Sequence, residues 1–450
     1  MKEKFYSKKN CYNVLFLPGF PGGYRERELT DDLKKLGFNI YTISYYEIQD
    51  KQTFGFESSV EQINKALGKL NNLPLLIISY SYSTILVTKS MCKNMDNIMG
   101  IFFFSPIFDL KHSLQVDFLA DLKIMIDKKE IIVNKNAFDL ITQKNIITAI
   151  KLYKKDIQLI LKKHIPLIYI FGDRDVVIKT NLVKSVVNEI QKEQNKFNQI
   201  KILKTKYGNH KLDSLYKNIH YKYIVALFAA YELKKALNRD CSIYARGSLI
   251  NEQFFSDISD IDFVIMINGN FDLNDRIKLN KFKYKLSQKL DTKIDVSIAS
   301  TSEFGIIDDA ISVRGATFFH EIENFYLPII ISKNIRIPKI DKQKIIAGAI
   351  KANLANIHKS ERALLKYQPG TDDSNFIIKH FLIGCYYDQF CKGNLIFEQQ
   401  DIKMLYKKNS TTFKLLQKIL EYKKANYTTI TLEMLKKYLE THIQLYKEII

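Results

Sequence analysis

The sequence lacks the features that mark disulfide-rich, zinc-binding and membrane-spanning chains. Its 450 residues include only five scattered cysteines, an odd number, and no two of them stand in a Cys-x-x-Cys spacing. This pattern predicts neither a disulfide framework nor a cysteine zinc site, and it suits a reducing compartment, so we expect a cytoplasmic protein. The apolar runs, such as 98–104 and 261–267, are too short to cross a bilayer and are typical of buried strands.

The N-terminus lacks a complete secretory signal. Lysines precede an apolar run, but the run breaks at Pro18-Gly19 and no small-residue cleavage site follows. We therefore expect neither secretion nor a membrane anchor.

An arginine-rich tract is also absent, although the formal net charge is +20. Lysine is dispersed among Ile and Asn along the whole chain, without a ladder of alternating basic and aromatic residues. This distribution favours a solvated basic surface over a dedicated nucleic-acid groove, so nucleic acid stays an open but less favoured partner. A nucleoside triphosphate needs only a local positive pocket.

The first half of the chain alternates strand and helix patterns. Strands are predicted at 13–17, 39–44, 75–79, 100–104, 167–171 and 200–204, and helices at 25–36, 60–70, 83–92 and 180–194. Such alternation predicts an α/β domain over residues 1–237, with a mostly parallel sheet and helices on both faces. The stretch from about 107 to about 164 has only helix-like sequence and is interpreted as an inserted cap.

A second pattern restarts after residue 237. Strands predicted at 242–245, 262–267 and 293–298 surround a lysine-rich helix at 275–290, which indicates an α+β domain over 238–340. The remainder, 341–450, is helical in period and predicts a small bundle.

One short motif in the second domain carries chemistry. Gly247-Ser248 ends a predicted strand, and Asp260-Ile261-Asp262 begins the next one. Alternate strand residues point to the same face, so Asp260 and Asp262 present two carboxylates together and require a cation, for which Mg²⁺ is the natural choice and Mn²⁺ the alternative. Asp295, in another apolar strand, can supply a third carboxylate.

This set suits attack on the α-phosphorus of a nucleoside triphosphate. Metal ions held by carboxylates neutralise the charge that develops on the phosphate oxygens and on the leaving pyrophosphate. Gly247 lets the backbone approach the phosphates, while the Ser248 hydroxyl and nearby N–H groups can bind them. Asp257, in the same loop, is interpreted as a solvated helix cap.

The motif resembles that of the DNA polymerase β-like nucleotidyltransferase superfamily. The segment 308–321, with Gly315 between an amphipathic helix and an aromatic strand, looks like the end of a minimal nucleotidyltransferase domain, and the helical tail is similar in placement to that of aminoglycoside nucleotidyltransferases. The resemblance implies that Asp260, Asp262 and Asp295 are catalytic metal ligands, that Gly247 and Ser248 bind the triphosphate, and that the donor is ATP or another triphosphate. It names no general base.

A second constellation lies in the first half. Ser81 follows a buried strand and precedes a helix, between the small residues Ser79 and Ser83, as a nucleophile elbow requires. Asp175 follows a later strand in a Gly-Asp-Arg-Asp segment, and His210 follows the last strand in Gly-Asn-His.

The chain order Ser81, Asp175, His210 resembles the α/β-hydrolase fold. The resemblance implies that His210 takes the Ser81 proton and that Asp175 orients the imidazole, with Asp173 as a competing acid. Pro18-Gly-Phe-Pro-Gly-Gly would form the oxyanion loop, and the N–H groups of Phe20 and Tyr82 would be its donors. Serines in place of the usual elbow glycines leave a non-catalytic hydrolase fold open.

Three hypotheses follow. The first is a nucleotidyltransferase with a small-molecule hydroxyl or amine acceptor, fused to a serine hydrolase for an ester, thioester or amide. The second keeps the transferase and makes the N-terminal half a binding module. The third is a regulatory enzyme that nucleotidylates a protein or a tRNA end, and a basic patch near the site would favour it.

Overall fold

The structure is a computed structural model, and it divides the chain into two compact units. One comprises Met1–Ile267, Phe271–Ala299 and Tyr326–Ile335, and the other comprises Asn268–Asn270, Ser300–Phe325 and Arg336–Ile450. The residues that the structure describes are 12–19, 27–43, 53–70, 72–90, 97–128, 132–133, 141–193, 199–205, 219–250, 260–301, 316–324, 326–337, 341–367, 373–394, 402–424 and 430–450.

Strands and helices follow one another along this described chain. The strands are β1 Tyr12–Leu17, β2 Phe38–Thr42, β3 Thr53–Phe54, β4 Leu75–Tyr80, β5 Ile98–Phe104, β6 Ile132–Val133, β7 Leu167–Gly172, β8 Ile200–Thr205, β9 Cys241–Arg246, β10 Ile261–Ile267, β11 Ile294–Ser300 and β12 Leu327–Ile330. The helices are α1 Arg27–Leu36, α2 Phe56–Leu70, α3 Ser83–Ser90, α4 Leu110–Ser113, α5 Val116–Asp127, α6 Ile146–Leu161, α7 Thr180–Glu193, α8 Ile219–Leu237, α9 Leu273–Leu290, α10 Ala316–Asn324, α11 Lys342–Leu365, α12 Asp373–Cys391, α13 Thr411–Lys424 and α14 Leu432–Lys447.

The first sheet has six strands in the order β2-β1-β4-β5-β7-β8, and every neighbouring pair is parallel. Strands β1, β4, β5 and β7 are buried along their whole length. Continuous burial is expected when helices cover both faces, and it explains why these strands are mostly apolar, with Asn13 and Ser79 as buried exceptions. The α/β class and the parallel sheet predicted for the first half are confirmed.

The predicted cap region is helical in α4 and α5, but it also includes the short strand β6, which pairs in parallel with β3. Its last helix, α6, has Ala149, Tyr153, Ile157 and Ile160 in the core that underlies the sheet. This helix therefore belongs to the layer that packs on the sheet.

The second sheet has four strands in the order β11-β10-β9-β12, with β9 antiparallel to both of its neighbours. Helix α9 begins after Asp272, whose carboxylate accepts from the Asp275 N–H at 2.7 Å, and buries Leu279, Leu286 and Leu290. Spacings of seven and four residues put these leucines on one face. The mixed sheet confirms the predicted α+β class.

Two details of this region differ from the sequence analysis. The aromatic strand predicted after Gly315, within the segment 308–321, is instead helix α10, in which Phe318, Phe319 and Ile322 are buried. Strand β12 was not predicted, because Pro328 interrupts its short apolar run. The structure places β12 at a sheet edge, where a proline is tolerated because the missing N–H is not needed by a further strand.

Helix α8 contributes to a hydrophobic core shared by both sheets. Leu227 and Phe228 lie in one buried cluster with Phe38 of β2 and with Ile243 and Ile265 of the second sheet. The boundary predicted after residue 237 thus falls at the end of a helix that packs with residues of both sheets.

The second unit is helical, as predicted for 341–450. Helices α11, α12 and α14 surround a core that includes Phe381, Leu435 and Tyr438, all less than 1% exposed. Among the described residues, no helix is both long and apolar enough to span a membrane.

Candidate active sites

The three candidate metal ligands lie at one edge of the second sheet. Asp262 is the second residue of β10, Asp295 is the second residue of β11, and Asp260 directly precedes β10. The Ile261 N–H donates to the Lys293 carbonyl at 2.8 Å, so the adjacent strands β10 and β11 both start from this edge. Asp262 and Asp295 thus lie near the starts of neighbouring strands and Asp260 lies just outside β10, while the role of the three as metal ligands stays a prediction.

Gly247 packs directly against Asp262. It follows β9, opens a single 3-10 turn, Gly247–Leu249, and has φ +75°. A Cβ built at Gly247 would lie 2.3 Å from Oδ2 of Asp262, shorter than real Cβ contacts, so any other residue here would shift the carboxylate. The left-handed backbone likewise favours glycine. The Ser248 backbone is within the turn, whereas its side chain lies outside what the structure describes.

Arg246 adds a cation that the sequence analysis did not single out. It pairs in register with Asp262 across β9 and β10, which puts both side chains on the same face of the sheet. Its Nη2 donates to Oγ of Ser297 on β11 at 2.9 Å, so the guanidinium extends across β10. The signal in the sequence was its position directly before Gly247.

Two lysines contact the outer carboxylates. Lys293 Nζ lies 3.7 Å from Asp260 Oδ2, and Lys283 Nζ lies 3.7 Å from Asp295 Oδ1. Asp260 and Asp295 remain partly exposed, with 34% and 49% of their side chains accessible. These are long, solvated ion pairs, which contribute little to stability and release their carboxylates easily.

The donor set suits a hard divalent cation. Within the described residues, no three Asp, Glu, His or Cys side chains converge closely enough to hold one ion directly. Mg²⁺ keeps several of its waters and needs only one or two protein carboxylates together with substrate phosphates. Three carboxylates at one edge, with a glycine that leaves room beside Asp262, fit that requirement.

Ser81 lies at the carboxyl end of β4 in a turn of unusual geometry. Its φ is +48°, a conformation that a residue with a Cβ adopts only under strain, and α3 begins two residues later. The Ser81 N–H donates to the Phe104 carbonyl at 2.8 Å, which fixes the turn against β5. Ser79 and Ser83 are fully buried beside it, so larger side chains would not fit. This is the strained strand-to-helix turn predicted for the nucleophile.

The loop after β1 reaches the same turn. A Cβ on Gly19 would lie 3.3 Å from the Ser81 Cβ, and the Ser83 hydroxyl donates to the Pro18 carbonyl. Tyr82, the residue after Ser81, has a buried side chain. Phe20, the other predicted oxyanion donor, lies outside the described residues.

Asp175 follows β7 in a tight turn. Its Oδ1 accepts from the N–H groups of Val177 and Ile178 at 2.9 and 3.0 Å, which orients the carboxylate, whereas Asp173 is exposed. Strands β4, β5, β7 and β8 are parallel neighbours, so their carboxyl ends share an edge and β4 and β7 are about 10 Å apart. His210, after β8, lies outside the described residues, and the complete triad stays a prediction.

Asp109 and His112 form a pair in the first half that has a structural role. Asp109 is buried and accepts from the His112 N–H, while the two side chains are 2.8 Å apart. Its second oxygen accepts from the Gln143 N–H at 2.7 Å. Asp109 thus joins the start of α4 to the segment at Gln143.

Comparison with known protein families gives a match in the second domain. A family model described as a nucleotidyltransferase domain matches residues 230–330, which include Gly247, Asp260, Asp262 and Asp295. Comparison with curated proteins gives no significant match.

Solved structures with similar folds align to the first half. A carboxylesterase from the Thaumarchaeon Nitrososphaera gargenis aligns at 12% identity and TM-score 0.36, covering 51% of this chain and 93% of its own. A haloalkane dehalogenase from Agrobacterium tumefaciens aligns at 10% identity and TM-score 0.37, covering 51% of this chain and 96% of its own. A monoacylglycerol lipase from Paleococcus ferrophilus aligns at 15% identity and TM-score 0.33, covering 48% of this chain and 94% of its own. Similarity at this level carries no conclusion about chemistry, and the N-terminal site rests on its own geometry.

Proposed function

We propose that the chain is a Mg²⁺-dependent nucleotidyltransferase that moves a nucleoside monophosphate from a nucleoside triphosphate, with ATP as the favoured donor, to a hydroxyl or amine. The observation that carries the proposal is the contact of Gly247 with Asp262, at the edge where Asp260 and Asp295 also lie. Glycine fits here without shifting Asp262, as expected where a backbone must approach phosphates and a nearby carboxylate must keep its position. Mn²⁺ is the alternative metal, and a cytoplasmic location stays a prediction.

Each residue has a proposed role. Asp260, Asp262 and Asp295 would hold Mg²⁺, which supplies charge neutralisation at the phosphates when bound. Gly247 and Ser248 would receive the triphosphate, and Arg246 would place a fixed positive charge on the same face as Asp262.

The test is transfer of label from each α-labelled triphosphate in a cell extract with Mg²⁺. Asp260→Asn should abolish transfer with little change in folding, because it weakens ligation but keeps the shape of the side chain. Asp121→Asn, at an exposed site on α5, is the control for loss of one charge. Full activity of Asp260→Asn, or of the native protein in excess chelator, would exclude the assignment.

A second activity, hydrolysis of an ester, thioester or amide, is favoured by the strained turn at Ser81 and the adjacent Gly19. In this proposal His210 accepts the Ser81 proton, Asp175 orients His210, and Phe20 and Tyr82 donate to the oxyanion. A fluorophosphonate probe should label Ser81, and His210→Ala should suppress the label while His112→Ala leaves it unchanged. No label on the folded protein would favour a binding module without hydrolase activity.

A further inference from the structure

A basic cavity lies next to the carboxylates of the second sheet. It has a volume of about 830 Å³ and is lined by one side of α9 and by the loop that leads into β11. Four lysines line it, Lys281, Lys283, Lys285 and Lys293. The only acidic side chain among its described lining residues is Asp291.

The cavity lies on the exposed face of an amphipathic helix. Lys281, Tyr284, Lys285 and Gln288 recur at spacings of three, four and seven residues, so they share one face of α9 opposite the buried leucines. This face extends about 10 Å along the helix. Tyr284 is 65% exposed, so much of its aromatic ring is accessible to a ligand.

The charge of this face is not neutralised locally. Neither Lys281 nor Lys285 has a carboxylate within 4 Å among the residues that the structure describes, and both side chains are exposed. An exposed aromatic ring between two such lysines offers a stacking surface flanked by cations. Bases of a single strand stack on aromatic rings, and their phosphates pair with basic side chains.

The basic face is continuous with the proposed transfer site. Lys283 and Lys293 line the cavity and are the same residues that contact Asp295 and Asp260. A ligand in the cavity would therefore have one end beside the metal-binding carboxylates.

We propose that the cavity binds the end of a single-stranded polynucleotide, whose 3′-hydroxyl is the acceptor of the transferase. This inference rests on the proposed function and names its acceptor class. At about 3.4 Å per nucleotide, the face from Lys281 to Gln288 accommodates about three nucleotides. Lys281 and Lys285 bind phosphates, and Tyr284 stacks on a base.

The reaction adds one nucleotide to the strand. The 3′-oxygen forms a bond to the α-phosphorus, and the bond from that phosphorus to the oxygen that bridges to the β-phosphate breaks. Pyrophosphate leaves with that oxygen, and the hydroxyl proton passes to solvent.

Binding of fluorescein-labelled single strands of about twelve nucleotides, one RNA and one DNA, tests the inference by fluorescence anisotropy on the full chain. The double variant Lys281→Gln/Lys285→Gln should weaken binding and lower the slope of log K against log salt by about 1.4, for two lost phosphate contacts. Tyr284→Ala should raise Kd at least about fivefold, and Tyr284→Phe should restore affinity.

The matched control is Lys151→Gln/Lys155→Gln, which removes two exposed lysines at the same spacing from α6. It should bind like the native protein, and the melting temperature of each variant shows whether it folds. The tighter-binding strand identifies RNA or DNA as the source of the acceptor, and a strand with a 3′-deoxy end should bind but not be extended.

Binding and transfer are separate readouts. Asp260→Asn should lose nucleotide transfer and keep strand binding. If this variant still transfers nucleotide, the proposed transferase is contradicted, while the strand-binding result stands. Equal affinity of both lysine double variants would overturn the inference, as would absence of strand binding. Labelling of a protein or a small molecule that is unaffected by Lys281→Gln/Lys285→Gln would also overturn it.

Discussion

Replacement of Gly247 by alanine isolates the contact that carries the proposed function. Gly247 has φ +75°, and a Cβ there would meet Asp262 Oδ2 at 2.3 Å. The left-handed backbone alone costs an L-residue about 1–2 kcal/mol. The collision must in addition displace the carboxylate by about 0.7 Å, from 2.3 Å to 3.0 Å, since shorter Cβ contacts are essentially never seen.

Gly269 provides a control with the same backbone strain. Its φ is +77°, and a Cβ there has nothing within 4 Å. Gly247→Ala should therefore lower the melting temperature at least as much as Gly269→Ala, and only Gly247→Ala displaces Asp262. A displacement approaching 1 Å at a reacting centre costs about a hundredfold in rate, so nucleotide transfer by Gly247→Ala should fall by about that factor.

The assay is incorporation of α-labelled nucleotide at saturating Mg²⁺, measured alongside thermal unfolding of both variants. If Gly247→Ala transfers nucleotide within a few-fold of Gly269→Ala, Asp262 does not act through its position beside Gly247, and the reasoning is refuted. If both variants lose activity equally with equal loss of folding, the effect is one of stability alone.

Three further predictions concern other parts of the molecule. Arg246→Gln should lower transfer at least about tenfold because it removes a charge on the Asp262 face, whereas Ser297→Ala, which removes only its hydrogen-bond acceptor, should cost less. Burial lowers the pKa of His380 from 6.5 to about 4, with a further contribution from Lys359 and Lys379, and burial lowers the pKa of His442 to about 3. As the pH falls, both histidines therefore take up protons more readily in the unfolded chain than in the folded one. The helical unit should therefore lose about 2 kcal/mol per histidine between about pH 7 and about pH 5, and a urea midpoint that is unchanged over this range would contradict it. A fragment starting at Ile219 should fold and bind triphosphate. A fragment starting after α8 should aggregate, because it lacks the α8 residues that pack in the core of the second sheet. Equal solubility of the two fragments would favour the predicted boundary after residue 237.

Buried strands were the most predictable part of the fold. The runs 75–79 and 167–171 are apolar except for Ser79, and the observed strands end within a residue of the prediction. A strand that is covered on both faces is nearly all apolar, so its limits are clear in the sequence. The segment 316–324 was misassigned because its two phenylalanines suggested a strand, whereas tertiary packing of a helix face decided the outcome.

The acidic motif was also predictable, since alternation along a strand fixes the relation of Asp260 to Asp262. Arg246, Lys283 and Lys293 were not, because their positions beside the carboxylates depend on which strands are neighbours. Register and sheet order are long-range properties, and no local pattern encodes them.

The shared core around α8 couples the two candidate sites thermodynamically. Leu227 and Phe228 pack in one cluster with residues of both sheets, so unfolding of one sheet removes part of the core of the other. A ligand that binds only the native state at one site then stabilises the other site in part, by at most about 2.7 kcal/mol at a hundredfold excess over Kd. Saturating triphosphate should thus protect the turn at Ser81 from heat without touching it, which makes nucleotide supply a determinant of how long the hydrolase-like half survives.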